Sequence, residues 1–288
     1  MKPGRFSYEA PTSLDAALTS LASWRDDAKI IAGGQSLAPM LNMRLARLDH
    51  LIDINGLADL GRIAVEGDRL SIGALVRHDQ LGHHDLVAEH CPMLAHAAET
   101  IGHYAIRQRG TIGGSLAHAD PAAQLPLATL VLDAELALRT ATARRIVAAG
   151  DFFLSIFTTA IASDELLVAV RVPLRRPREG WGFRLFSRRA GDFAMVSVAA
   201  TLERGEGLAI ARLRLAIGGI GPVPMRAEHL VPAEFAGALA EGWSARVAAA
   251  VAATVEIEDN ERTPIVFRRE LVEQLTRDVL DDALERAR

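Results

Sequence analysis

The residues best suited to chemistry lie in two glycine-rich segments that are far apart in the chain. Residues 31–37 read IAGGQSL, and residues 110–121 read GTIGGSLAHADP. Glycine has no Cβ atom, so backbone N–H groups in such a segment can approach an anion closely. A hydroxyl residue follows each doublet, and an acid and a proline follow the second. The pattern predicts a ligand with two phosphates and a polar chain.

The first doublet stands where a strand turns into a helix. Residues 29–32 form a short apolar run, and apolar residues then recur at helical spacing from Ser36 to Ala46. A helix N-terminus carries partial positive charge and therefore favours an anion. Ser36 is predicted either to cap this helix or to donate to a phosphate oxygen. Each segment alone is also consistent with ordinary turn chemistry.

Neither segment matches the common nucleotide-binding motifs. No Lys-Ser or Lys-Thr follows either doublet, as a Walker A loop requires, and the Gly-x-Gly-x-x-Gly spacing of a Rossmann turn is missing. Residues 34–38, GQSLA, lack the final glycine of a nucleophile elbow. His78, His83 and His84 lack a metal-binding spacing, so a solvated helix face explains them better. Kinase, ATPase, conventional NAD-binding and hydrolase functions are therefore disfavoured.

Composition limits the function further. The 288 residues are half apolar and 24% charged with a net charge of −4, which predicts a globular chain without a basic surface for nucleic acid. No stretch approaches the roughly 18 apolar residues of a membrane span, and the N-terminus lacks a signal-peptide core, so a cytoplasmic location is expected. Cys91 is the only cysteine and cannot form an iron–sulfur cluster, which needs about four thiolates. We expect it to be a small buried residue.

The elements that position the two segments follow from hydrophobic periodicity and turn residues. A helix over 14–24 and strands over 29–32 and 50–54 predict a small β-α-β unit. A hairpin turn is expected at Gly67–Asp68, and a linker at 173–181. Further predicted elements are helices over 75–102 (broken at Pro92), 126–131, 227–255 and 267–287, and strands near 135–140, 165–172, 194–203 and 211–218.

Both glycine segments resemble the FAD-binding medium subunit of the molybdenum hydroxylases, the family that includes carbon monoxide dehydrogenase and xanthine dehydrogenase. The resemblance continues at residues 183–194, FRLFSRRAGDFA, and at residues 217–227, IGGIGPVPMRA. It implies an α+β fold in which a PCMH-type FAD-binding domain over residues 1–176 has subdomains of about 1–58 and 59–176. A C-terminal domain with an antiparallel sheet plus helices would follow over residues 177–288.

The resemblance also implies which residues hold FAD. The first segment would wrap the pyrophosphate, and part of the second would form the opposite wall. Asp120 would accept hydrogen bonds from ribityl or ribose hydroxyls, although it also suits a simple turn before Pro121. No residue is assigned as catalytic or as a metal ligand. The implied FAD-binding residues are Ala32, Gly33, Gly34, Gln35, Ser36, Leu37, Thr111, Gly114, Ser115, His118, Asp120, Leu167, Arg184 and Phe193.

Four of these positions depart from the pattern of the relatives. Arg184 stands where lysine is usual, and arginine is planar and differently hydrated, so a charge on a strand surface is an equal alternative. Phe193 stands where the carbon monoxide branch carries a tyrosine beside the flavin. Gln35 replaces that branch's histidine, and Ser115 replaces its asparagine. These differences point away from carbon monoxide and toward an N-heterocycle, an aromatic compound or an aldehyde as substrate.

The implied function is electron transfer within an oxidoreductase complex. The chain is predicted to pass electrons from iron–sulfur clusters on a partner, through FAD, to an external acceptor. The molybdenum cofactor and the two-iron sulfur clusters are expected only on a large and a small partner subunit, assembled as a dimer of heterotrimers. The alternatives are a free-standing FAD-dependent oxidoreductase of the same fold and a non-catalytic nucleotide-binding assembly module.

Overall fold

The N-terminal unit is built on a small parallel sheet. The computed structural model describes residues 2–259 and 263–287. This sheet consists of β1 (Ser7–Glu9), β2 (Ala28–Ile31) and β3 (His50–Asp53), with β3 in the centre. The strands are connected by helices α1 (Leu14–Trp24) and α2 (Leu37–Asn42). The Ser13 hydroxyl caps α1 by accepting from the Ala16 N–H at 3.2 Å. The predicted β-α-β unit is confirmed, although α2 ends earlier than expected.

The second unit contains a five-stranded antiparallel sheet. Four of its strands come first in the chain: β4 (Ile63–Glu66), β5 (Arg69–Gly73), β6 (Glu135–Arg139) and β7 (Arg144–Ala148). A separate hairpin of β8 (Phe153–Ser155) and β9 (Thr158–Thr159) follows them. Strand β10 (Leu166–Pro173) then enters the sheet between β5 and β6. Gly67 has φ +64° between β4 and β5, which agrees with the predicted hairpin turn.

Short helices of the second unit carry its apolar side chains into one core. Pro92 takes the first helical position of its helix, where its missing N–H costs nothing. Leu94, Ile112, Leu116 and Leu125 are fully buried in this core together with residues of β5, β6 and β10. The helices are α3 (His78–His83), α4 (Asp85–His90), α5 (Pro92–Glu99), α6 (Tyr104–Arg109), α7 (Ile112–His118), α8 (Gln124–Val131) and α9 (Ala149–Phe152).

The C-terminal unit is a four-stranded antiparallel sheet covered by a long helix. Its strands β11 (Glu179–Phe186), β12 (Val196–Arg204), β13 (Ile210–Gly218) and β14 (Met225–Arg226) follow one another in sequence order. Its helices are α10 (Ala233–Ala236), α11 (Trp243–Thr254) and α12 (Ile265–Arg286). The predicted α+β class, with an antiparallel-sheet domain after the FAD-binding part, is confirmed.

The C-terminal unit packs directly on the second unit. Phe183 of β11 is 2% exposed and belongs to the core that β5 and β10 line. Arg226 donates to the Leu130 carbonyl at 3.0 Å and also pairs with Asp133, while Arg214 pairs with Asp133 at 2.6 Å. These contacts combine apolar packing with a shared carboxylate, so they fix the orientation of the two units.

Two expectations from local composition are wrong. Residues 227–255 do not form one helix, because Pro232 and Gly237 bracket the short α10, and α11 begins only at Trp243 after Gly242 with φ +64°. The linker is shorter than residues 173–181, since β10 reaches Pro173 and β11 begins at Glu179. The domain boundary between residues 176 and 177 stays a prediction.

Candidate cofactor site at the two glycine loops

The first glycine loop, residues 32–37, joins β2 to α2 and presents a row of free backbone donors. Gly34 adopts φ +72°, a conformation that favours glycine. The N–H groups of residues 33–36 make no hydrogen bond to the described part of the chain. Ser36 precedes α2 without capping it. Unpaired N–H groups at a strand–helix turn fit an anion that supplies the missing acceptors.

The second glycine loop, residues 109–115, leads into α7. The Thr111 hydroxyl caps this helix by accepting from the Gly114 N–H at 3.1 Å. Gly113 donates to the Ala74 carbonyl at 2.9 Å, and a Cβ atom there would lie 2.9 Å from the Ala74 Cα. A Cβ on Gly114 would meet only the Thr111 Oγ1, at 2.8 Å. Gly113 therefore packs inward, whereas Gly114 faces open space.

The two loops touch each other, backbone against backbone. A Cβ atom on Gly33 would lie 2.8 Å from the Arg109 carbonyl carbon and 2.9 Å from the Gly110 Cα. Real Cβ atoms do not approach other atoms this closely. Gly33 is thus required by the approach of the second loop. This differs from the expectation that its missing side chain makes room for the cofactor.

Two residues without any recognisable motif, Asn55 and Arg77, connect the loops. The Asn55 Nδ2 donates to the Ala32 carbonyl at 2.7 Å, and its Oδ1 accepts from the Arg77 guanidinium at 2.7 Å. Arg77 also donates to the Arg109 carbonyl. Burial lowers the pKa of Arg77, and the nearby charge of Arg109 lowers it further. The Arg77 and Arg109 cations, offset in part by the Asp53 carboxylate, therefore leave net positive charge where the loops meet.

His78, at the start of α3, packs against the backbone of the second loop. Its side chain is 5% exposed, and its Nε2 lies 2.9 Å from the Thr111 carbonyl oxygen. A Cβ on Gly110 would come within 2.7 Å of the His78 ring. Burial lowers the pKa of His78 to about 4, so the ring is neutral near pH 7 and Nε2–H donates to the carbonyl.

We expect His78 to make the apo-protein acid-sensitive. The pKa lies near 6.5 in the unfolded chain and at about 4 in the folded chain, so the unfolded state takes up the proton first. The free energy of unfolding therefore falls as the pH drops below 6.5, by about 2 kcal/mol between pH 7 and pH 5. Urea unfolding of wild type and His78→Gln at both pH values checks this. An equal loss in the variant would contradict it.

His118 is the last residue of α7, and Asp120 follows the helix two residues later. One Asp120 carboxylate oxygen accepts from the Ala122 N–H at 2.9 Å, which is the turn geometry weighed above as the alternative. His118 stacks on Phe157 with ring centroids 4.9 Å apart, and burial lowers its pKa. Asp120 thus has a structural role in the turn, and its second oxygen makes no hydrogen bond within the described chain.

Leu167 lies close to the second loop, and Val168 and Ala74 connect the two. Strand β10 shifts register between Leu167 and Ala169, and the Val168 carbonyl accepts from the Ala74 N–H at 3.0 Å. Ala74 in turn contacts Gly113. The irregular backbone at Leu167 therefore adjoins the base of α7.

Arg184 and Phe193 lie in different surroundings. Arg184 forms a two-pronged ion pair with Asp282 of α12, at 2.9 and 3.0 Å, and this hydrogen bonding raises its pKa. Phe193 is 62% exposed and lines a cavity of about 370 Å³ together with Pro121 and Gly219. Phe193 therefore lies near the segment that follows Asp120. Arg184, by contrast, is paired with a residue of the C-terminal unit.

The described residues contain neither a grouping of three or more metal-ligating side chains nor a helix long and apolar enough to cross a membrane. Cys91 is buried, as expected, and burial raises its pKa to about 12. Its thiol is therefore protonated at neutral pH.

Comparison with known families assigns the chain to a class. The model for the FAD binding domain in molybdopterin dehydrogenase matches residues 4–175, and the model for the CO dehydrogenase flavoprotein C-terminal domain matches residues 181–283. The chain therefore belongs to the family of FAD-binding medium subunits of molybdenum hydroxylases. The predicted family, its FAD cofactor and its oxidoreductase class are confirmed.

Individual relatives agree over nearly the full length. The nicotine 6-hydroxylase medium subunit of Paenarthrobacter nicotinovorans is 36% identical over 98% of this chain and 99% of the relative. The 6-hydroxypseudooxynicotine dehydrogenase complex subunit alpha of the same organism is 37% identical over 100% and 97%. Quinoline 2-oxidoreductase from Pseudomonas putida 86 superimposes with a TM-score of 0.93 at 33% identity, covering 100% and 99% of the two chains.

Proposed function

We propose that the two glycine loops hold the pyrophosphate of FAD between them. The free N–H groups of residues 33–36 carry this proposal, because they have no acceptor among the described residues and lie where Arg77 and Arg109 add positive charge. Residues 32–37 would form one wall, and Thr111, Gly114 and Ser115 the other. The open space above Gly114 leaves room for the ligand.

The polar chain and ring of FAD would extend from the loops toward the C-terminal unit. Asp120 has a carboxylate oxygen left over from its turn, His118 lies beside it, and Leu167 lies behind α7. The exposed ring of Phe193 borders the cavity that begins at Pro121. FAD supplies the redox chemistry when bound, while these residues bind it, orient it and limit its exposure to water. Arg184 pairs with Asp282 through Nε and Nη2, so Nη1 is the nitrogen that it would offer to FAD.

Within a complex, the chain would carry electrons from iron–sulfur clusters on a small subunit to an external acceptor. Relatives are named as a medium subunit, a subunit alpha and a subunit beta, which supports a multi-subunit assembly. The molybdenum cofactor would reside on a large subunit, and the assembly would be a dimer of heterotrimers in the cytoplasm. The single cysteine supports this division, since the chain cannot ligate an iron–sulfur cluster by itself.

The substrate of the complex would be an N-heterocycle, an aromatic compound or an aldehyde. Relatives named for nicotine, caffeine and glyceraldehyde support this range, although carbon monoxide dehydrogenases are similarly close. Phe193, Gln35 and Ser115 depart from the carbon monoxide branch, which favours the organic substrates.

Asp120→Asn separates cofactor binding from turn formation. The asparagine carbonyl can still accept from the Ala122 N–H, whereas the charge offered to flavin hydroxyls is lost. We expect Asp120→Ala to weaken FAD binding by about 1.5–3 kcal/mol, roughly ten- to hundredfold, and Asp120→Asn by about tenfold. Fluorescence titration with FAD measures both. Apo-protein carrying Asp120→Asn should melt at the wild-type temperature, whereas apo-protein carrying Asp120→Ala should melt lower. Wild-type FAD affinity in both variants would remove Asp120 from the site.

The function is tested by metal and flavin analysis of the full chain purified alone. We expect bound FAD, no iron and no molybdenum, and no oxidation of nicotine, quinoline or an aldehyde. Adding the small and large subunits should start turnover. Stoichiometric iron in the isolated chain, or turnover by it, would favour a free-standing oxidoreductase. Absence of flavin absorbance, with no uptake of added FAD, would favour the assembly module.

A further inference from the structure

We propose that Asp53, Asn55 and Arg77 form a latch that sets the geometry of the FAD site without touching FAD. The latch consists of these three residues. It joins the first glycine loop, which belongs to the N-terminal unit, to the second glycine loop of the neighbouring unit. The inference rests on the proposed binding of FAD between the loops.

One end of the latch orients the first loop. The Asn55 Nδ2 donates to the Ala32 carbonyl and to Asp53 Oδ1, each at 2.7 Å, so both of its N–H bonds are used. In a trans peptide the C=O and the following N–H point in opposite directions. Holding the Ala32 carbonyl toward Asn55 therefore turns the Gly33 N–H away from it. The same N–H is one of the free donors of the first loop.

The other end of the latch holds the second loop. Arg77 donates from one guanidinium nitrogen to Asn55 Oδ1 at 2.7 Å and from the other to the Arg109 carbonyl. Arg77 and Thr111 also form an isolated antiparallel bridge. The carbonyl group that Arg77 holds is the one that Gly33 faces. A single planar fork thus spans the contact between the loops.

Asp53 anchors the latch to strand β3. Its Oδ1 accepts from the Asn55 backbone N–H at 2.9 Å, and its Oδ2 accepts from the exposed Tyr8 hydroxyl at 2.8 Å. Burial alone would raise the pKa of Asp53, but the hydrogen bonds of Asn55 and Tyr8 and the charge of Arg109 lower it. Asp53 therefore stays ionised at neutral pH and keeps accepting from Asn55.

A double-mutant cycle of FAD affinity tests the latch. Asn55→Leu and Arg77→Met should each weaken FAD binding by about tenfold in the full chain. Either change breaks the same hydrogen-bonded link between the loops. The FAD affinity of the double variant should therefore be close to that of either single variant. An additive, roughly hundredfold loss in the double variant would overturn the latch, as would wild-type affinity in either single variant.

Arg77→Lys distinguishes positioning from simple charge. A lysine ammonium keeps the charge but lacks the rigid fork that spans Asn55 and the Arg109 carbonyl. We expect Arg77→Lys to remain about tenfold weaker than wild type. Recovery of full affinity would show that charge near the pyrophosphate is sufficient and would overturn the latch.

The controls separate the latch from folding and from the proposed function. Arg62→Met removes an arginine of an exposed ion pair with Asp59 and should leave FAD affinity unchanged. Tyr8→Phe removes only the outermost hydrogen bond and should change affinity by about twofold or less. Apo-protein melting of every variant reports folding. Failure of the wild-type chain to bind FAD would reject the proposed function, whereas wild-type binding with unaffected variants would reject only the latch.

Discussion

Gly33→Val should abolish FAD retention in the purified chain, and Gly33→Ala should come close to doing so. Even the first carbon of a side chain would lie 2.8 Å from the Arg109 carbonyl carbon, so the two loops must separate. Once the loops separate, the free N–H groups of the first loop no longer face the second loop. The ratio of flavin absorbance to protein absorbance after gel filtration measures the effect.

Gly56→Ala is the matched control for this substitution. Gly56 follows β3 in the same unit, and a Cβ there meets no atom within 4 Å. Gly56→Ala should retain FAD like wild type.

Gly114→Val, like Gly33→Val, should lose FAD, but for a different reason. Its side chain would displace the Thr111 hydroxyl and fill the open side of the second loop. Full flavin in Gly33→Val and Gly114→Val would show that these loops do not hold the cofactor.

Gly182→Ala should strongly destabilise the C-terminal unit. A Cβ on Gly182 of β11 would lie 2.9 Å from both the carbonyl carbon and the Cα of Val279, so α12 must move off the sheet. The buried contacts of Val279 and Leu280 would be lost with it. We expect a loss of about 3 kcal/mol or more in the free energy of unfolding, within the range of severe overpacking.

Thermal and urea unfolding of Gly182→Ala should be compared with Gly150→Ala. Gly150 lies in α9 with nothing within 4 Å of an added Cβ, so alanine should be neutral or add up to about 1 kcal/mol through helix propensity. A Gly182→Ala chain that melts at the wild-type temperature would contradict the close packing of α12 on β11.

The glycine loops could be located from the sequence because their signals are local. An apolar run, a glycine doublet and a helical period lie together within residues 29–46, although Ser36, predicted to cap the helix or to donate to a phosphate oxygen, does not cap it. The prediction failed where alanine-rich composition was given more weight than proline and glycine, which end helices. The alanine-rich stretch before Trp243 favoured one helix, yet Pro232 and Gly242 divide it.

The contacts that shape the site could not be predicted, because they join distant parts of the chain. Asn55 and Arg77 are unremarkable loop residues until β3 and α3 bring them together. Arg184 acquires its partner Asp282 from 98 positions further along the chain. The reason for Gly33 is similarly non-local, since the atoms that exclude a side chain belong to residues 109 and 110. A doublet pattern identifies a glycine but not which neighbour requires it.

The small first sheet has a consequence for how flavin leaves the protein. Its three strands have three or four residues each, and its core cluster borrows Leu75 and Leu166 from the neighbouring unit. A ligand bound across the two glycine loops raises the free energy of any opening that separates them. If FAD binds across the loops as proposed, local opening of this sheet and release of FAD are linked equilibria. Amide hydrogen exchange in β1 to β3 should slow as FAD saturates the chain, and protease cleavage between the units should mark the apo form.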